Sequence, residues 1–143
     1  MIREKLIYIL ERKFGRDMFL VGDNPAAIFP AAHSSLGEMK LFDVGSEGRI
    51  EIEHIAHGHF YSFLQNATQD ENEQEVAEAM AEFVEDVFSG NYVFWRSKDG
   101  QFGGWEYRNS TSSFDEISIF AQMEAFFLWS GPVDVNEQDG KET

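Results

Sequence analysis

Between Asn66 and Asp86 the chain carries eight acidic residues and no basic one, while Val76, Met80, Phe83, Val84 and Val87 recur at steps of three and four. That spacing is one face of an α-helix, so this segment has one face to bury and a strongly anionic face left over. Thr68 and Glu71 stand at capping-box spacing, Asp70, Glu71 and Glu73 suit the positive end of the helix dipole, and Ser89-Gly90 supplies a stop. Like charges at 71/75, 78/82 and 82/86 lie four apart, each costing about 0.2–0.5 kcal/mol at low salt. A surface selected only for stability would interleave lysines.

Three readings of that face stay open. It is a solvated surface, or it is neutralised from within, or it meets a cationic partner. Internal neutralisation has a candidate in the first helix, predicted over Ile2–Phe14 from Ile2, Leu6, Leu10 and Phe14 and closed by Gly15. Its outer face and exit hold Arg3, Lys5, Arg12, Lys13 and Arg16 against Glu4 and Glu11, five minus two or +3 facing −8. The whole chain sums to 11 basic and 26 acidic residues, a net charge of −15. This excess argues for a basic protein partner, and against nucleic acid or an anionic membrane. Glu75, Glu78, Glu82 and Glu85 are the predicted contact carboxylates.

Strands are expected between and after these helices. Met18–Val21 and Ala26–Phe29 are short apolar runs closed by turn formers. Glu38–Val44 and Arg49–Ile55 alternate around Gly45-Ser46-Glu47-Gly48 and read as an antiparallel hairpin. His59–Phe63 reads as a further short strand. Tyr92–Trp95 and Trp105–Arg108 flank Lys98-Asp99-Gly100 as a second hairpin. Gly103 and Gly104 on its returning strand predict a bulge or a close backbone approach. Its aromatics are expected to form sheet core plus a half-exposed rim, with Trp95 and Trp105 as candidate anchors for a protein contact.

Phe114–Trp129 fits a helix or a strand. Ser113 and Glu116 have capping-box spacing and favour helix, whereas the run Phe126–Trp129 before Ser130-Gly131-Pro132 suits a buried strand. Asn109–Ser113 reads as a polar loop and residues 133–143 as an acidic disordered tail. Strands clustered between helices, not alternating with them, give one α+β domain over residues 1–132 with a largely antiparallel sheet.

Histidine supplies the rival chemistry. His54, His57 and His59 fall within six residues, and His57 and His59 would share one face of a strand, as metal-binding strands require. A divalent transition metal needs a third ligand, which His33, Glu53 or His54 could supply only after a chain reversal. Otherwise these rings cap loop backbone. No phosphate-cradling loop, nucleophile elbow or zinc-protease helix occurs, so catalysis and a cofactor are not expected. The chain has no cysteine, which fits a reducing cytoplasm, and no apolar run long enough to span a bilayer. It shows no secretion signal.

In element order and charge the chain resembles two kinds of bacterial protein, the immunity protein that blocks a basic toxin nuclease and the secretion chaperone. The first resemblance implies a compact acidic face aimed at a basic site. The second implies a homodimer with apolar grooves, and needs an exposed amphipathic helix over Phe114–Trp129. Neither resemblance transfers a site residue.

Overall fold

A computed structural model describes residues 1–97, 102–108 and 123–133 of the chain. Helix α1 (Ile2–Phe14) ends at Gly15, whose φ of 88° lies where side-chain-bearing residues rarely go. After a 3₁₀ turn (Arg16–Met18) come β1 (Leu20–Val21), β2 (Ala27–Phe29), β3 (Met39–Asp43), β4 (Gly48–Ile52) and β5 (Ala56–Phe60). These five pair in chain order as an antiparallel meander, with Leu41 opposite Ile50 and Asp43 opposite Gly48 in the predicted hairpin.

Helix α2 (Gln69–Phe88) begins with both capping-box hydrogen bonds between Thr68 and Glu71 in place. α1 and α2 lie side by side on one face of the meander. Period-2 and period-3.6 patterns interlock there: Ala27, Phe29, Met39, Leu41, Ile50 and Ile52 from the sheet meet Leu6, Leu10, Val76, Met80, Val84 and Val87 from the helices, all buried. The opposite sheet face shows Lys40, Phe42, Arg49, Glu51, His57 and His59, none of them buried.

The remaining strands build a second antiparallel sheet rather than extending the first. It consists of β6 (Tyr92–Ser97), β7 (Gly103–Tyr107), β8 (Met123–Leu128) and β9 (Gly131–Val133) in the order β7-β6-β8-β9. It docks through Phe94 and Phe127, both buried in the common core, and through β7 lying against β5. The helix favoured by the Ser113/Glu116 spacing does not extend through residues 123–128, which are strand. Phe94 and Phe127 face each other across β6 and β8, a pairing between distant segments that local signals do not encode. Val133, expected as the first residue of the tail, belongs instead to β9. The capping spacing itself, the Asn109–Ser113 loop, the Lys98-Asp99-Gly100 turn and the rest of the tail lie outside the described residues.

Strand boundaries also move: the strand expected over Arg49–Ile55 ends at Ile52, with residues 53–55 in a turn. Met18 belongs to the 3₁₀ turn, leaving only Leu20–Val21 extended, and the strand expected over His59–Phe63 is instead Ala56–Phe60.

Candidate functional site

At 100° per residue, Glu71, Glu75, Glu78, Glu82 and Glu85 fall within an arc of about 80° on α2, opposite the buried stripe. The chain treats these five carboxylates differently. Glu71 is spent on the helix cap. Glu85 receives the Lys13 ammonium at 2.6 Å, and that hydrogen bond with the surrounding negative field raises the lysine's pKa. Lys5 likewise holds Asp70 at 2.7 Å and lowers its pKa. The first helix therefore does neutralise part of the acidic segment.

Glu75 has a different task. Its carboxylate accepts the Ser62 hydroxyl at 2.6 Å and the Phe63 N–H at 2.9 Å, fixing the loop between β5 and α2. Those bonds, the Ser62 hydroxyl foremost, hold Glu75 below the usual glutamate pKa. β5 stops at Phe60 because its partner β4 begins at Gly48 opposite it, and the residues that follow bond to the helix carboxylate. Glu78 accepts only the neutral Gln74 amide, and among the described residues neither Glu78 nor Glu82 has a cation within ion-pair distance. With Glu85, Ile9 and Lys13 they line a groove of about 500 Å³ between the helices.

The depressed Glu75 pKa fixes a sign for the loop's acid response. Its contribution is complete above the ordinary glutamate range and disappears as pH falls through the lower folded-state value. Hydrogen-exchange protection of the Phe63 amide is therefore expected to drop in that acidic window while the α2 core amides stay protected. Glu75→Gln should lower that protection at neutral pH and remove its pH dependence. Unchanged protection across the window would show that another group fixes the loop.

The two tryptophans singled out in the sequence are both half-buried. Trp105 packs on Phe83 at 5.2 Å between ring centroids and lies over Gly58 of β5, so it belongs to the seam between the sheets. Trp95 is half-buried against Gly104. The hairpin's exposed aromatics are Phe102 and Tyr107.

His57 and His59 do project from the same face of β5, with ring centroids 5.4 Å apart. His59 lies 3.6 Å from the Glu47 carboxylate, and Arg49 pairs with Glu51 beside His57. His54 turns toward Glu53 at 3.4 Å, and His33 reaches the Leu128 carbonyl at 3.3 Å. Among the described residues, no three His, Asp or Glu side chains come together as a metal-ligand group. His54 and His57 instead border a cleft of about 640 Å³ with Lys40, Arg96, Glu51 and Glu53, a lining of mixed sign.

Sequence reasoning missed the loop before α2. Its legible signal was an aromatic-apolar pair, Phe63-Leu64, followed directly by the polar run Gln65-Asn66. Compared with protein-family models, curated proteins and solved structures, the chain matches none of them. No helix among the described residues is long and apolar enough to cross a membrane.

Proposed function

We propose that this chain is a small, non-enzymatic protein-binding module that meets a basic partner on the outer face of α2. One observation carries the reading. After the cap, the loop and the two lysine pairs have used their share of carboxylates, Glu78 and Glu82 still face outward with no cation within ion-pair distance among the described residues, and the Lys13 whose field reaches Glu82 is already paired with Glu85. They lie in a chain with 15 surplus negative charges. Of the two resemblances, the compact immunity-type module is favoured, because residues 123–128 are strand where a secretion-chaperone-like groove would need an amphipathic helix. The contact is centred on Glu78 and Glu82, with Glu75 and Glu85 tied to their own chain. Complementary charge of this kind speeds encounter and selects partners more than it deepens affinity.

The test is a Glu78→Gln/Glu82→Gln double variant compared with wild type. Relieving like charges at three- and four-residue spacing is expected to leave stability unchanged or raise it by about 0.5 kcal/mol. Partner retained on the immobilised protein at low salt should elute at distinctly lower salt from the variant. Loss of folding in the double variant, or identical elution, defeats the reading.

A further inference from the structure

We propose that the loop between β5 and α2 presents Phe63 as an apolar anchor for a basic protein partner, the ring entering a recess of that partner bordered by its arginines or lysines. This rests on the reading of the α2 face given above and adds the element that supplies affinity. Phe63 is 85% exposed, beside exposed Tyr61 and Leu64. A lone exposed aromatic is ordinary in a soluble protein. Here the backbone beneath it is not left loose. Glu75 holds the Ser62 hydroxyl and the Phe63 N–H, the Ser62 oxygen lies 2.7 Å from Asn72 Oδ1, and it accepts the Leu64 N–H at 3.2 Å. A polar clamp of Ser62 and Glu75 thus fixes a segment whose own apolar side chains are exposed to solvent. The ordering cost of a binding loop is met before any partner arrives.

Position gives the chemistry of the occupant. Glu75 is a member of the acidic stripe, so Phe63 stands beside it, with Glu71 and Glu78 about one helical turn, 5.4 Å, to either side. An exposed aromatic ring set beside one end of an acidic stripe matches an apolar recess rimmed by cations, whose guanidinium groups can also lie over the ring. A second copy of this chain is a poor occupant, since the same carboxylates would face each other.

The probe is the full chain with benzoylphenylalanine at position 63, and separately at position 8, where Tyr8 is exposed on α1. Irradiation in an extract of the source organism at low salt should give one discrete adduct from position 63 and none from position 8. The cross-linked protein should carry more Lys and Arg than Asp and Glu. With that protein purified, Phe63→Ala should weaken binding by about thirtyfold or more, the size of an interface hot spot, while the melting temperature stays put. Absence of a discrete adduct, an adduct between two copies of the chain, or full affinity in Phe63→Ala overturns the anchor. Full affinity in Phe63→Ala combined with a loss in Glu78→Gln/Glu82→Gln leaves the acidic-face reading standing. The converse pattern, a Phe63→Ala loss indifferent to salt and to the double charge variant, keeps the anchor and removes the acidic face.

Discussion

Phe29→Ala is expected to lower the unfolding free energy by about 3–5 kcal/mol, the range for truncating a buried phenylalanine. Phe29 is 1% exposed. Its ring touches three other aromatics drawn from separate elements: Phe14 at the end of α1 (5.8 Å between centroids), Phe19 before β1 (5.2 Å) and Phe88 at the end of α2 (5.3 Å). Each such pair adds about 0.5–1.5 kcal/mol beyond the area it buries. Trp129 in turn leans on Phe88, so the cluster also ties the turn before β9 to the helix layer. The site cannot collapse cheaply, because its walls belong to two helices and a sheet. It also borders an apolar cavity of about 520 Å³ lined by Pro30, Phe88 and Trp129, into which the truncation would open. Against a total of about 5–15 kcal/mol for a typical domain, this is a large fraction. Urea titration followed by circular dichroism measures it. A loss under about 1 kcal/mol would mean that the four rings repack around the gap and that the cluster does not join the elements.

What the sequence made legible depended on how local the deciding contact was. Thr68 and Glu71 satisfy each other three residues apart, so α2's start was readable to the residue. The hairpin of β3 and β4 was readable for the same reason, its alternation and turn lying within fifteen consecutive residues. The split into two sheets was not readable, because it depends on β6 choosing β8 over the first meander, and Phe94 finds Phe127 only in three dimensions. In the candidate site the acidic face was legible as charge, but not residue by residue. Ser62 and Glu75 are 13 positions apart, and Lys13 and Glu85 are 72 apart. No spacing rule links either pair, so the carboxylate that clamps a loop and the one that meets a lysine looked like their unpaired neighbours. β5 runs out of partner at Gly48, and the non-local bonding to Glu75 then holds Phe63, an expected strand residue, in an exposed loop.

Gly103→Ala should destabilise the protein by about 1–3 kcal/mol or more, the cost of forcing an extra carbon into a packed interior. The reason is the seam between the two sheets. A Cβ at Gly103 would run into the Ile55 carbonyl oxygen, with the Ile55 carbonyl carbon at 3.0 Å and the Trp95 carbonyl oxygen at 3.1 Å on the neighbouring strand. Every one of these obstacles is backbone, so no side-chain rotation relieves them. β7 would have to withdraw from the turn between β4 and β5. Withdrawal would carry Trp105 away from Gly58, where a Cβ would in turn sit 2.7 Å from the indole ring. The two glycines are therefore complementary, each removing the side chain that would keep the other sheet at a distance. Gly104→Ala is the internal control. The atoms nearest its new Cβ all belong to the half-buried Trp95 ring, the closest at 2.7 Å, a side chain and not backbone. The expected order of denaturation midpoints is wild type, then Gly104→Ala, then Gly103→Ala lowest, with the last also showing tryptophan emission shifted to the red as Trp105 loses its cover. Equal midpoints for the two alanine variants would mean that the sheets do not meet at this seam, and that β7 is free to move without disturbing the core.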